Sequence, residues 1–447
     1  MDVNRPLDPN RPNAEVPLGG PFYGAPPTKV RPDRVADLIV YLPVVITTLF
    51  AKFTLPAFSA LGLGFGLPLT LGVLALGILS GRVIVDLKRA AFFMFMVSWI
   101  GLVQVAREQD FSLSSLIFMI VTSFVYVLGV PRPGKGIDDA MRFFVNFVTV
   151  IALCGIVQFA MQFVSKTAAF PIDNLVPQGF IIRGFNNLNP LYYGSTIFKS
   201  NGVFLKEPSF FSQIIAMAIV VELATLKRFS RLGILALAAI LSYSGTGLLV
   251  LAVCFPVLLI RNHRLDVLGL IVGVILIASL FAVPLRLDLI LSRIYEFNDP
   301  SSSAFQRFVS WIYLLRDTTF SSPGLALFGY GPGNFHDVEV VAPFNVSELF
   351  HSKVIIEFGL LGGLLYTGFL MYCIFTSEAP FVVRLAVVVL HFMNGAYADS
   401  VLGMALTLVL LTPRHETVRA RRIPPVRRPD PKGSLVSRNA TGRPVPN

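Results

Sequence analysis

Lys199, Glu207, Arg307 and His351, with Arg183 ahead of them, are ionisable side chains gathered in two polar stretches of an otherwise apolar chain. The first stretch, KTAAFPIDNLVPQGFIIRGFNNLNPLYYGSTIFKSNGVFLKEPS, holds Arg183, Lys199, Lys206 and Glu207 and leads straight into an apolar segment. The second holds Arg307, the glycine-spaced LFGYGPGNF (327–335) and, at its end, His351 in NVSELFHSKVIIEFGLLGG. Fixed cations stabilise negative charge that grows on a leaving group. A carboxylate, or an imidazole near neutral pH, accepts the proton of an attacking hydroxyl. The chemistry these types can do is to bind or deprotonate a substrate hydroxyl, with His351 or Glu207 as base.

Each residue has a plainer reading as well. Glu207–Pro208 suits a helix start, where proline is pre-set for the first turn and a carboxylate favours the positive end of the dipole. Arg307 taken alone reads as a snorkelling anchor of an interfacial helix. A single His351 at a membrane interface reads as an amphipathic residue. Gly329, Gly331 and Gly333 allow positive φ and close approach of backbone to a ligand. As a phosphate loop they are weak, since GK[ST] and a strand–helix unit are missing.

The elements that must hold these residues are membrane helices. Of 447 residues, 54% are hydrophobic and 14% charged, against roughly 25% charged in soluble domains. Apolar runs of about 20 residues recur, each long enough for a hydrocarbon core of roughly 30 Å. They fall near 36–56, 58–80, 90–106, 111–129, 143–165, 209–226, 232–260, 265–284, 353–375, 380–397 and 399–412. The first 35 residues are polar and Pro-rich, without the apolar core of a signal peptide. Cys154, Cys254 and Cys373 lie inside apolar runs, which suits packing rather than a disulfide framework or a zinc site. No DxD or cluster of carboxylates points to a metal, and no cofactor is expected.

Basic clusters set the orientation: RVIVDLKR (82–89), PRPGKG (131–136), KRFSR (227–231), RNHR (261–264) and a tail with nine Lys/Arg against two Asp/Glu from Pro413 onward. Placing them all in the cytoplasm puts both termini inside, with Lys52 at the outer end of the first span as an exception. The Pro-rich tail lacks the folded, aromatic-bearing basic surface that nucleic-acid binding needs. The run 232–260 is basic at both ends, so one crossing would invert everything after it. LSYSGTGLL (241–249) predicts two short antiparallel helices, 232–243 and 247–260, broken by Gly245 and Gly247 at SGTG.

The expected organisation has about 12 helices. Residues 1–35 form a disordered cytoplasmic segment, and 36–165 hold the first five helices. Residues 166–208 form the first external loop, and 209–284 hold four more helices, including the short hairpin. A second external loop spans 285–350, three last helices span 351–412, and 413–447 form a basic disordered cytoplasmic tail. Long loops in a compact fold are where function concentrates. The second loop opens with SSAFQRFVSWIYLLRD (302–317), read as one amphipathic helix with Phe305, Phe308, Ile312 and Leu315 on a face. Glu222 and Glu357 lie within apolar runs. Glu222 reads as structural, and Glu357 as able to orient a buried polar network below His351.

In this order the features resemble the O-antigen ligase and polysaccharide polymerase family, membrane glycosyltransferases of bacterial surface-glycan assembly. The matching pieces are NGVFLKEPSFFS, the SGTG of a short-helix pair, Arg307 before an aromatic helix with Trp311, FGYGPGNF, and the helix opening at His351 through IIEFGLLGG. The resemblance implies an all-α, GT-C-like integral protein of the inner membrane, with both large loops periplasmic. It implies a metal-independent transfer from a polyprenyl-diphosphate carrier, with Arg307 binding diphosphate and His351 at the acceptor. Where the family has a second arginine before its G-x-F-x-x-P segment, this chain has Lys199, a point charge without a guanidinium fork. Arg183 in IIRGFNN is the alternative source. The family's Asn after the histidine is Ser352 here.

The EPSFFS form is more similar to exopolysaccharide polymerases, which join lipid-linked repeats, than to ligases, which transfer glycan to lipid A core or protein. The implied partners are the lipid-linked oligosaccharide, membrane lipid, and by analogy a flippase and a chain-length regulator. A transporter of lipid-linked sugars is the rival of a different class. Transporters place ionisable groups at the membrane midplane and repeat their halves, and neither pattern is read here.

Overall fold

The computed structural model describes residues 33–56, 64–107, 110–131, 136–182, 185, 187–226, 228–261, 265–280, 283, 286, 288–395 and 399–410. Arg183, the first 32 residues and the basic tail lie outside these. The described chain is mostly helical, with one two-stranded antiparallel ribbon, Ile84–Val85 on Leu128–Gly129.

Every hydrophobic run read from the sequence contains a helix. These are α1 (Arg34–Leu49), α2 (Gly66–Leu79), α3 (Leu87–Arg107), α4 (Leu113–Phe124), α5 (Gly136–Met161), α6 (Pro208–Val221), α7 (Phe229–Leu241), α8 (Gly245–Arg261) and α9 (Leu265–Leu280). The short helices of the second polar stretch include α10 (Ser303–Phe308), α11 (Ser310–Asp317) and α12 (Pro323–Phe328). The last apolar helices are α13 (Phe350–Phe375), α14 (Phe381–Met393) and α15 (Asp399–Val409). Four are long and apolar enough to cross a membrane: α3, α5, α6 with its π-helical extension to Leu226, and α13.

Local chemistry starts several of these helices. Asp33 Oδ1 accepts the Val35 and Ala36 amides at the head of α1, and Ser112 Oγ accepts the Ser115 amide at the head of α4. Ser302 caps α10 in the same way, and Pro208 occupies the first turn of α6. Such caps satisfy amides that have no partner inside the helix. The helix α6 is apolar on all sides and buried along nearly its whole length, as a helix in the middle of a bundle must be. It packs against α5, α7, α8 and α14, while α13 packs against α3, α12 and α14.

Two local expectations need correction. The short helices of the 232–260 run are present, but the glycines do not break the chain. The turn is Ser242–Ser244, with Tyr243 at φ 45°, and both Gly245 and Gly247 sit in the first turn of α8. Gly247 is there because α8 lies directly on α6: a Cβ would stand 2.4 Å from the Ser212 carbonyl oxygen. The second correction concerns 302–317, which is two helices interrupted at Val309 rather than one. After the interruption Leu314 and Leu315 turn inward onto Phe335, Val338, Val346 and Ile356, while Ile312 is left 52% exposed. A neighbouring apolar surface, invisible to helical spacing, selected which side faces in.

The first polar stretch folds back on the end of α1. Lys52 Nζ lies 2.7 Å from Asp173 Oδ2, both side chains buried, and the Ile182 amide donates to the Lys52 carbonyl. The lysine that broke the charge rule is thus neutralised by the loop itself.

Candidate functional site

A cavity of about 550 Å³ opens where the start of α6, the Ser242–Ser244 turn, the start of α8 and α10 meet. Lys199, Glu207 and Arg307, distant in sequence, all line it. Asn189, Ser209, Tyr243, Ser244, Thr246 and Glu296 add polar groups. Leu248, Leu249 and Ala252 of α8, with Phe297 and Phe308, supply an apolar wall.

Glu207 is the residue at the head of α6, yet its carboxylate makes no cap. It faces Arg307, with Oε2 3.2 Å from Nη2, and accepts the Ser209 hydroxyl at 3.0 Å. Pro208 fills the first turn as read, and Glu207 stands at the N-cap with its carboxylate bonded to Arg307 and Ser209 rather than to a helix amide. Arg307 sits in the last turn of α10. That short helix is held by Phe305, which packs on the rings of Phe344 and Tyr313, and by the Ser347 amide donating to the Gln306 carbonyl.

Lys199 is 5% exposed. Its amide donates to the Asn189 carbonyl and the Ser200 amide to the Leu241 carbonyl. Below it Gln158 of α5 gathers the turn: Oε1 accepts from the Ser200 hydroxyl (3.0 Å) and the Asn201 amide (3.1 Å), and Nε2 donates to Asn201 Oδ1 (2.9 Å). Sequence reading passed over Gln158. The signal was an amide side chain inside an apolar span, a residue type that seldom sits there without a polar task.

The turn into α8 is stitched to α6 by hydroxyls. Thr246 Oγ1 donates to the Ser209 carbonyl (3.1 Å) and lies 3.0 Å from both Ser212 Oγ and Ser244 Oγ. The cavity floor is therefore fixed to the same helix that carries Glu207.

No protein-family model matches the chain, and no curated protein matches it.

His351 is not among the residues that line the cavity. It lies in the first turn of α13, with its ring centroid 4.5 Å from that of Trp311, edge to face, and 6.0 Å from Phe392. Nδ1 is 3.1 Å from the Phe392 carbonyl. A carbonyl only accepts, so this contact assigns the proton to Nδ1 and leaves Nε2 with the lone pair. Trp311 donates its indole N–H to the Phe308 carbonyl at 3.1 Å, joining the His351 side to the cavity wall. Ser352, next to His351, exchanges hydrogen bonds with the Leu349 backbone and serves the helix start.

Gly329, Gly331 and Gly333 all have positive φ (73°, 97° and 87°). Their close approach is to the chain itself, not to an open site. A Cβ on Gly329 would meet the Glu357 carbonyl oxygen at 2.5 Å, and one on Gly333 would meet Ser112 Cβ at 2.5 Å. The Tyr330 and Gly331 amides donate to the Ile356 and Glu357 carbonyls, each at 2.8 Å. Glu357 Oε1 accepts the Gly333 amide and lies 3.6 Å from Lys353, which also pairs with Glu348. These interactions sit where α13 is kinked at Gly359 (φ 67°). Glu222, at the other end of α6, accepts the Arg228 amide at 2.7 Å, a structural cap. No group of three or more His, Cys, Asp or Glu that could hold a metal occurs among the described residues.

Proposed function

We propose that this protein is a multi-pass membrane glycosyltransferase of bacterial surface-polysaccharide assembly, similar to the O-antigen ligase and polymerase family. In this reading it is a polymerase of the inner membrane with about 12 spans, two periplasmic loops and both termini in the cytoplasm. It transfers glycan from a polyprenyl-diphosphate carrier to a hydroxyl of another lipid-linked repeat. The observation that carries the reading is the two-sided cavity: Lys199 and Arg307 beside apolar α8 side chains. An isoprenoid diphosphate has that same division into a charged head and an apolar tail. Fixed cations in such a site stabilise the charge that develops on the departing diphosphate.

Of the two candidate bases, Glu207 lines the cavity and His351 does not. The proton of the acceptor hydroxyl is therefore assigned to Glu207, and His351 supports the wall through Trp311. General-base help of this kind is worth about 10²–10⁴-fold.

The test is the lipid-linked glycan profile of cells lacking the protein, complemented with wild type or Arg307→Ala. Single repeats accumulating on the outer-leaflet carrier, with loss of polymer, support polymerisation. Full-length polymer that stays on its carrier means a ligase. Repeats held on the cytoplasmic side mean transport, and the assignments of Glu207 and Arg307 fall.

A further inference from the structure

Arg307, the arginine assigned to an anionic donor, already has an anion on it. Glu207 Oε2 receives both Arg307 Nη2 at 3.2 Å and Ser209 Oγ at 3.0 Å. The pair is neither sealed in the core nor loose on the surface: the arginine side chain is 23% exposed and the carboxylate 12%. Both line the cavity. The carboxylate leads α6 but does not cap it, and instead meets Arg307 and the Ser209 hydroxyl.

We propose that Glu207 is a place-holder on Arg307: the diphosphate of the donor takes its place, and the released carboxylate becomes the proton acceptor. The proposal rests on the donor reading above. A diphosphate ester brings more negative charge than one carboxylate, and it meets Lys199 on the same cavity as a second cation. Glu296 is a second carboxylate on the cavity, so what favours exchange is the greater charge of the diphosphate directly on Arg307. The guanidinium can meet two phosphate oxygens with parallel N–H groups. Glu207 in turn leaves a partner that occupied its Oε2 and keeps the Ser209 hydroxyl beside it.

In the transfer, the acceptor O–H proton passes to Glu207 and the acceptor oxygen bonds to the anomeric carbon. The bond from that carbon to the phosphate oxygen breaks, and its electron pair leaves on the diphosphate, held by Arg307 and Lys199. The consequence is an order of events. Until the donor head is bound, the base is engaged, and neither acceptor nor water is activated in an empty site.

The experiment is calorimetric titration of the purified full-length protein in detergent with farnesyl diphosphate, a short polyprenyl diphosphate. Removing the competing charge in Glu207→Gln is expected to tighten binding about five- to tenfold. Arg307→Ala is expected to weaken it by at least about tenfold. Adding Glu207→Gln to Arg307→Ala should bring no further gain, because the two act through one contact. Glu207→Gln should also lose turnover while it gains affinity, a split that damage to folding does not produce. Glu207→Asp, which keeps the charge, should bind as wild type does. Binding by wild type with no gain in Glu207→Gln, or a gain that persists without Arg307, overturns the place-holder alone. No binding by wild type overturns the donor reading with it.

Discussion

The Gly333 amide donates to Glu357 Oε1 at 3.0 Å, so a loop that precedes α13 is bonded to a carboxylate two turns inside it. This contact explains why the glycine-spaced segment looks like a ligand loop and behaves as a joint. Its backbone fills the gap opened by the kink at Gly359, where a Cβ would fall 2.4 Å from the Leu327 carbonyl carbon.

Gly333→Ala is expected to destabilise the protein by about 1–3 kcal/mol, since alanine at positive φ is strained and Ser112 leaves no room. Thermal unfolding in detergent measures this. An unchanged melting temperature would mean that the loop does not depend on this contact.

Gly247→Ala forces α8 away from α6, because the Ser212 carbonyl stands where the Cβ must go. Overpacking of this kind costs about 1–3 kcal/mol. Since α8 forms the apolar wall of the cavity, affinity for farnesyl diphosphate should fall together with stability. Titration and thermal unfolding of the variant check both.

Lys52 and Asp173 form a buried pair. Removing one partner strands the other charge and costs about 3–5 kcal/mol. Lys52→Met and Asp173→Leu singly should therefore each lower thermal stability more than the Lys52→Met/Asp173→Leu double variant does. A double variant as unstable as the sum of the singles would sink the pairing.

His351→Gln and Glu207→Gln separate the two base assignments. With Glu207 at the cavity and His351 behind Trp311, Glu207→Gln should lose about 10²-fold or more in transfer rate. His351→Gln should lose less. The reverse ranking, measured with purified protein and lipid-linked donor, would return the proton to the histidine.

Much of the architecture was legible along the chain because apolar runs, caps and helix-compatible prolines act locally. Asp33, Ser112 and Ser302 accept amides of their own next turn, and Pro208 opens a helix by its fixed φ. The short-helix pair was legible too, since basic residues flank it on both sides. Its turn was misplaced by two residues because glycine marks close approach as readily as a break, and only the neighbouring α6 tells the two apart.

Residue type gave Glu207 and His351 as possible proton acceptors, while Arg307 and Lys199 were nominated for diphosphate by the order of motifs rather than by type alone. Which of them share a cavity depends on contacts a hundred residues apart, such as Glu207 with Arg307. Periodicity and spacing describe one element at a time, and these contacts form between elements. The pair Arg307–Glu207 joins α10 to the start of α6 at the cavity, while His351 sits between the rings of Trp311 and Phe392 and does not line it.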